Sequence, residues 1–248
     1  MTPDLRFAHE LADAADAITL ARFRALDLRV ETKPDLTPVS EADKAAEEAI
    51  RALVAQHRPR EGVFGEELGD DGAETRWIVD PIDGTRNYVR GVPVWATLVA
   101  LERDGLLQAA VVSAPALGRR WWAARGEGAW AAGEPIRVSS VATIEDAVVS
   151  TASPSALPAG ASTVAARAWT SRGFGDFWQH CLVAEGAVDV ALDADLQLWD
   201  YAAVQLLVEE VGGRCTTFEG ESPTPGAFFL ASNGVLHAET LRELAAGA

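Results

Sequence analysis

The stretch Trp77-Ile-Val-Asp80-Pro-Ile-Asp83-Gly-Thr85 determines how the rest of the chain is interpreted. It begins as an apolar strand ending on Asp80, the next residue is a proline that breaks the strand ladder, and Asp83 follows three residues after Asp80. Two carboxylates at such a junction can converge on one point. Hard cations such as Mg²⁺ prefer oxygen ligands, usually carboxylates completed by water and substrate phosphate. The stretch therefore predicts a divalent metal site, with the Ile82 carbonyl as a neutral ligand.

An ordinary turn is the alternative explanation, because Asp before Pro and Asp before Gly are common turn residues. Two further motifs favour the metal site. Gly65-Glu66-Glu67 follows one predicted strand, and Leu198-Trp199-Asp200 precedes a predicted helix. Asp200 alone is equally well explained as a helix N-cap. If Gly84 and Thr85 open a helix, their free backbone N–H groups form an anion site beside the metals.

Hydrophobic spacing predicts an N-terminal half of two helices and an antiparallel meander, and a C-terminal half with a mixed sheet and helices. The early helices span residues 5–26 and 40–57, the second with Ser40 as its N-cap. The meander strands are 63–65, 77–79, 95–101, 107–113, 119–124 and 129–131. The later strands are 147–151, 168–171, 188–192, 214–218 and 228–231, and the later helices are 177–185, 201–211 and 236–246.

We expect one domain over residues 1–248, with halves of about 1–152 and 153–248. Residues 153–161, rich in Pro, Ala, Gly and Ser, are the candidate linker between the halves.

Composition limits the classes of partner. The 248 residues are 48% hydrophobic, enough for a sizeable core, and carry a formal net charge of −16, which makes nucleic acid an improbable partner. A small anionic substrate is repelled too, unless bound cations reverse the local sign. No apolar run is long enough to span a bilayer, so we expect a cytoplasmic protein without membrane contact. Cys181 and Cys215 lack metal or disulfide spacing and are expected to be buried, reduced thiols.

Three separated motifs resemble the inositol monophosphatase family. They are Gly65-Glu66-Glu67, Trp77-Ile-Val-Asp80-Pro-Ile-Asp83-Gly-Thr85, and Trp199-Asp200-Tyr-Ala-Ala followed by Glu210-Val-Gly-Gly213. Their order makes the resemblance specific, and it extends from the first helix to the C-terminus. It implies an α/β (α+β) fold, the layered α-β-α-β-α sandwich of sugar phosphatases, and Mg²⁺-dependent hydrolysis of a phosphate monoester.

The resemblance also implies a ligand set for two or three Mg²⁺ ions. Glu66, Asp80 and the Ile82 carbonyl would hold one ion, and Asp80, Asp83 and Asp200 would hold the second. Such a concentration of acids needs divalent cations to neutralise it and to accept a phosphate.

Further roles follow from the same resemblance. Lys33 and Asp43 match a family segment that closes over the site, with Asp43 near a third ion or its waters. Glu66 and Thr85 would orient and deprotonate the attacking water, and the phosphate oxygens would meet the N–H groups of Gly84 and Thr85.

Two acids bear on the identity of the alcohol that leaves. Asp176 stands where inositol phosphatases have a small or hydroxyl residue, and Asp193 lies seven residues before Asp200. Two acids at these positions suit an alcohol bearing an ammonium and an imidazole, as histidinol phosphate does, better than a neutral polyol. This part of the chain resembles the histidinol-phosphatases of the superfamily, which implies a role in histidine biosynthesis and a substrate-orienting role for Arg172. Alternatively, Asp176 only caps the helix that follows and pairs with Arg172 at the surface.

Two other functions stay open at this point. One is hydrolysis of an inositol phosphate or sugar bisphosphate by the same metal chemistry. The other is a catalytically silent metal- or phosphate-binding protein, against which the complete set of acids argues. The resemblance further suggests a homodimer.

Overall fold

The computed structural model describes residues 1–34, 36–152 and 156–246. The chain forms two compact units, Met1–Arg125 and Gly126–Ala248. The halves expected from the sequence divide the chain later, near residue 152, and that division of a single domain stays a prediction.

Among its described residues, the N-terminal unit combines three α-helices with a sheet and a separate hairpin. Its helices are α1 (Pro3–Arg22), α2 (Glu41–His57) and α3 (Thr85–Val89). The hairpin pairs β1 (Val30–Thr32) with β2 (Pro38–Ser40). The sheet strands are β3 (Gly62–Gly65), β4 (Gly69–Asp70), β5 (Arg76–Asp83), β6 (Ala96–Arg103), β7 (Leu106–Ala114) and β8 (Arg119–Ala124).

Apolar periodicity accounts for the packing of this unit. Thr2 caps α1 ahead of Pro3, and Ser40 caps α2 as the sequence predicts. Both helices bury one face against the sheet, and their side chains share one core with those of the strands; its members include Leu11, Ile50, Trp77, Val99 and Val111.

The meander prediction is confirmed for β5 to β8, which pair antiparallel in chain order. It is wrong for β3, which pairs with β5 in parallel. The reason is β4, which pairs with the opposite edge of β3 and runs antiparallel to it. It carries the chain back to the end of the sheet where β3 begins, so β5 starts from that end as well. As a result, β3 and β5 end at the same edge of the sheet.

The C-terminal unit contains a short strand pair, a mixed sheet and four helices among its described residues. The pair is β9 (Gly128–Ala131) with β10 (Glu134–Pro135). The remaining strands are β11 (Val148–Thr151), β12 (Thr170–Arg172), β13 (Val190–Leu196), β14 (Arg214–Thr216) and β15 (Ala227–Ser232). The helices are α4 (Ala159–Arg167), α5 (Asp176–Ala184), α6 (Leu198–Glu210) and α7 (His237–Ala246).

The mixed character of this second sheet was predicted and is confirmed. Its order is β12-β11-β13-β15-β14. Strand β11 runs parallel to both of its neighbours, whereas β15 runs antiparallel to both of its own.

The sequence did not predict α4, which begins inside the candidate linker 153–161; residues 153–155 lie outside the described chain. Pro158, whose backbone is extended, is the N-cap of this helix. A Cβ on Gly160 would collide with the backbone of Leu244, so the glycine allows α7 to approach closely. Ala161 and Val164 are buried in the same core as Leu244. Tertiary packing therefore makes a helix of a segment whose composition indicates a linker.

Two expectations about the environment of the chain concern features of the fold. Cys181 and Cys215 are both buried thiols, as predicted. Over residues 1–34, 36–152 and 156–246, no helix has the length and apolar character needed to cross a bilayer.

Candidate active site

The end of β5 carries the first two predicted ligands. Pairing with β6 shifts register between Asp80 and Asp83, so this segment bends away from a regular strand. Asp80 is buried, and its Oδ1 accepts a hydrogen bond of 2.9 Å from the Ile82 N–H. A carboxylate oxygen of Asp80 and one of Asp83 lie within 4.8 Å of each other. The structure thus brings these two acids together, as the sequence predicts.

A tight turn follows Asp83. Gly84 has a φ of +83°, in the left-handed region that glycine tolerates, and α3 starts at Thr85 as expected. The Thr85 hydroxyl lies 2.9 Å from the Ile82 carbonyl oxygen and 3.4 Å from Asp43 Oδ1. Thr85 therefore links the turn to α2.

Glu66 reaches the same edge because β3 and β5 are parallel. Its backbone N–H donates to the Val79 carbonyl, the residue before Asp80, at 3.2 Å. The Nζ atom of Lys33 lies 2.8 Å from Glu66 Oε1 and 2.7 Å from Glu67 Oε1. Burial disfavours the charged form of Lys33, but the hydrogen bonds to the two glutamates outweigh it and raise its pKa. Burial raises the pKa of Glu67 to about 7 despite the nearby ammonium.

Asp43 is fully buried in the first turn of α2. It closes a capping box with Ser40, whose N–H and hydroxyl both donate to Asp43 Oδ2. Burial raises the pKa of Asp43 to about 6, the hydrogen bonds from Ser40 oppose that shift, and the charge of Glu66 adds to it.

Glu47 is a site residue that the sequence analysis missed. It is fully buried, and its carboxylate accepts from the N–H groups of Glu67 at 2.8 Å and Leu68 at 3.2 Å. Arg51, one turn later on α2, pairs with it. Glu47 therefore shapes the loop that carries Glu66. The available signal was an acid on the apolar face of α2 with an arginine four residues on.

Asp200 lies in the C-terminal unit, within the first turn of α6. The sequence predicts a helix that starts after Asp200, with N-cap as the alternative role. The N-cap is Gln197, because Leu198 and Trp199 already belong to the helix. Asp200 Oδ2 accepts from the Gln197 N–H at 2.6 Å. This capping interaction fixes the carboxylate at the start of α6.

The other predicted substrate contacts also belong to the C-terminal unit. Asp193 is buried in β13, and its Oδ2 accepts from Gln179 Nε2 at 2.7 Å. Asp176 is the first residue of α5, with a φ of +46°, and the N-cap is Gly175. The alternative that Asp176 caps a helix starting at the next residue is therefore wrong. Arg172 is exposed, and its guanidinium donates to Thr170 Oγ1 and to the Ser171 carbonyl.

The donor set of the N-terminal unit fits a divalent cation. Its members are the carboxylates of Asp80 and Asp83 and the carbonyl of Ile82, all hard oxygen donors of the kind Mg²⁺ prefers. Glu66 follows the neighbouring strand, and its Oε1 pairs with Lys33. Neighbouring carboxylates repel one another, and a bound divalent ion offsets that repulsion. The acidic cluster therefore agrees with the expected metal dependence.

The whole chain resembles known proteins. The Inositol monophosphatase family matches residues 1–248. Among curated relatives, the histidinol-phosphatase of Mycobacterium tuberculosis is 50% identical over 98% of this chain and 98% of its own. The histidinol-phosphatase of Streptomyces coelicolor is 51% identical over 96% of this chain and 95% of its own. The resemblance to histidinol-phosphatases predicted from the sequence is confirmed.

Solved structures agree on the fold. The extragenic suppressor protein suhB of Bartonella henselae superposes with a TM-score of 0.92 at 29% identity, covering all of both chains. A Thermotoga maritima IMPase superposes with a TM-score of 0.90 at 30% identity, covering 99% of this chain and 98% of its own. The predicted fold class is thereby confirmed. The chain belongs to the inositol monophosphatase family.

Proposed function

We propose that this chain is a magnesium-dependent phosphomonoesterase that hydrolyses histidinol phosphate to histidinol and phosphate. The observation that carries the proposal is its identity of 50% with a histidinol-phosphatase over 98% of both chains. The acids at the ends of β3 and β5 supply the chemistry that such a reaction needs.

The proposed metal ligands follow the family resemblance. Glu66, Asp80 and the Ile82 carbonyl would hold one Mg²⁺, and Asp80, Asp83 and Asp200 would hold a second. Asp43 contributes to a third, more loosely held ion or its waters. When bound, Mg²⁺ lowers the pKa of a water molecule and stabilises charge on the phosphate oxygens.

The chain's own groups orient the attacking water. Glu66 accepts its proton, while Thr85 fixes its direction, because the threonine hydroxyl is itself held by hydrogen bonding at the turn. The N–H groups of Gly84, the N-cap of α3, and of Thr85, its first residue, would meet the phosphate oxygens. The ammonium of Lys33, 2.8 Å from Glu66 Oε1, fixes the direction of the Glu66 carboxylate.

The leaving alcohol is recognised by charge. Asp176 and Asp193 would accept hydrogen bonds from the ammonium and the imidazole of histidinol, and Arg172 would orient the substrate. We further propose a homodimer, on the basis of the family resemblance. We also propose a cytoplasmic location, which the two buried thiols support.

A comparison of substrates tests the proposal. Phosphate release is measured with histidinol phosphate, inositol 1-phosphate and fructose 1,6-bisphosphate, with Mg²⁺ and after its removal by EDTA. We expect the highest kcat/KM with histidinol phosphate and no turnover without metal. Faster hydrolysis of another ester would refute the assigned substrate, and no release from any of the three would favour a silent binding protein. Asp83→Asn, which should fold but not turn over, controls for a contaminating phosphatase.

A further inference from the structure

Asp193 is the final acceptor in a chain of hydrogen bonds that runs through the buried side chains of Ser150 and Gln179. The Phe174 N–H donates to Ser150 Oγ at 3.3 Å, Ser150 Oγ donates to Gln179 Oε1 at 2.8 Å, and Gln179 Nε2 donates to Asp193 Oδ2 at 2.7 Å. Ser150 and Gln179 are both fully buried, and Asp193 is only 5% exposed. We name these four groups the Asp193 relay.

The direction of every bond in the Asp193 relay follows from its chemistry. An ionised carboxylate only accepts, so Gln179 must turn its NH₂ group towards Asp193. Its carbonyl oxygen then faces Ser150, whose single hydroxyl proton is donated to it. The Ser150 oxygen is left to accept from the Phe174 N–H, and each member therefore has one arrangement that satisfies all the bonds.

The Asp193 relay joins the two segments that carry the proposed substrate acids. One end is Asp193 on β13. The other is the backbone of Phe174, two residues before Asp176, and the Gln179 N–H also lies 3.4 Å from the Gly175 carbonyl. Asp176 itself has a φ of +46°, a conformation that L-residues seldom adopt unless the surroundings hold it.

His180 does not perform this task, although it lies beside Asp193. Its Nε2 is 3.6 Å from Asp193 Oδ2, beyond hydrogen-bond range. Within the part of the chain that the structure describes, neither ring nitrogen of His180 has a hydrogen-bond partner. Its ring instead packs edge-on against Phe229.

We propose that Gln179, backed by Ser150, is a positioning residue that determines substrate discrimination by holding Asp193 and the segment before Asp176 in fixed places. This rests on the proposed function insofar as those two acids select the alcohol. Gln179 is fully buried and acts through Asp193, so its loss should weaken recognition of the alcohol and leave the phosphate chemistry intact.

The test is the variant Gln179→Met, which keeps the volume and removes the donor. KM and kcat are measured for histidinol phosphate and for p-nitrophenyl phosphate, whose leaving group has no cation. We expect KM for histidinol phosphate to rise about tenfold or more, the effect of losing a hydrogen bond to a charged group. The constants for p-nitrophenyl phosphate should stay within about twofold of the wild type. Gln205→Met, the same change at a side chain whose amide donates to Glu209 on α6, should alter neither.

A second variant, Ser150→Ala, gives the answer if Gln179→Met does not fold. It removes the hydrogen bond that Ser150 donates to the amide oxygen of Gln179. KM for histidinol phosphate should therefore rise in this variant too. Equal losses on both esters would mean that Gln179 is only structural and would overturn the proposal. If the wild type does not prefer histidinol phosphate, the proposed function fails separately. The Asp193 relay is then tested with the alcohol phosphate that the wild type prefers. If the variant raises KM for that ester more than KM for p-nitrophenyl phosphate, the relay is supported. An equal change in the two KM values refutes it.

Discussion

The carboxylate of Glu47 occupies the space that a Cβ atom on residue 65 would need. Gly65 is the last residue of β3, and Glu66 follows it directly. Because residue 65 has no side chain, the buried acid reaches the N–H groups of the next loop and holds them. The glycine before Glu66 is therefore required by close approach rather than by a turn.

Gly65→Ala should displace Glu47 and distort the loop that carries Glu66. We expect a loss of unfolding free energy of about 1–3 kcal/mol, as for other overpacked positions, together with loss of Mg²⁺-dependent turnover. Urea unfolding and phosphate release measure the two effects. Gly173→Ala is the control for stability, since among the described residues the nearest atom to its Cβ would be the Thr151 carbonyl oxygen at 3.5 Å. Wild-type stability in Gly65→Ala would contradict this account of Glu47.

The variant Asp200→Asn distinguishes the capping role of this residue at the start of α6 from its proposed role as a Mg²⁺ ligand. The amide oxygen can still accept from the Gln197 N–H, so the unfolding free energy should change by less than about 1 kcal/mol. Loss of a charged ligand should weaken Mg²⁺ binding, measured by calorimetry, at least about tenfold. Unchanged affinity would leave Asp200 as a capping residue only.

Asp176→Ser removes one of the two proposed substrate acids. We expect KM for histidinol phosphate to rise far more than KM for a neutral ester such as inositol 1-phosphate, because only the cationic alcohol loses a charge-assisted hydrogen bond. Steady-state kinetics on both esters measure this. Equal changes on the two would show that the acid does not select for charge.

His237 should make the fold sensitive to acid. It is buried between the hydroxyls of Thr216 and Ser232, and burial lowers its pKa from 6.5 to about 4. The unfolded chain therefore takes up a proton first, and stability that is complete above pH 6.5 is lost as the pH falls towards 4.

The slope attributable to His237 is at most about 1.4 kcal/mol per pH unit. Urea unfolding of the wild type and of His237→Gln at several pH values isolates it. Glutamine does not titrate, so the variant lacks the imidazole hydrogen bonds at every pH but does not suffer the acid-dependent loss caused by proton uptake at His237. Its deficit in stability relative to the wild type should therefore shrink as the medium is acidified. A constant deficit would show that His237 does not titrate in this range.

Local rules predicted the elements whose causes are local. Ser40 starts α2, and the proline and glycine around Asp83 give the turn, because caps and turns depend on a few neighbouring residues. The relations that failed or were missed are between distant parts of the chain. Strand β3 is parallel because of where β4 lies, and α4 forms because Gly160 admits the backbone of Leu244.

The candidate site divides in the same way. The acids were recognised from motifs, because a metal ligand must keep its chemical type. Glu47 and Gln179 were not, because their importance comes from a partner 20 residues away in one case and 14 in the other. For Glu47 the local signal was the arginine four residues on, which equally fits an ordinary helical ion pair. For Gln179 no local pattern distinguishes the buried glutamine from an ordinary helical residue.

Lys33 also has a consequence for the hairpin from which it extends. All three side chains of β1 are exposed, so that strand contributes nothing to the apolar core. The ion pairs of Lys33 are what tie this end of the hairpin to the loop after β3. Acetylation of the Lys33 amine would remove its positive charge and so weaken both ion pairs at once.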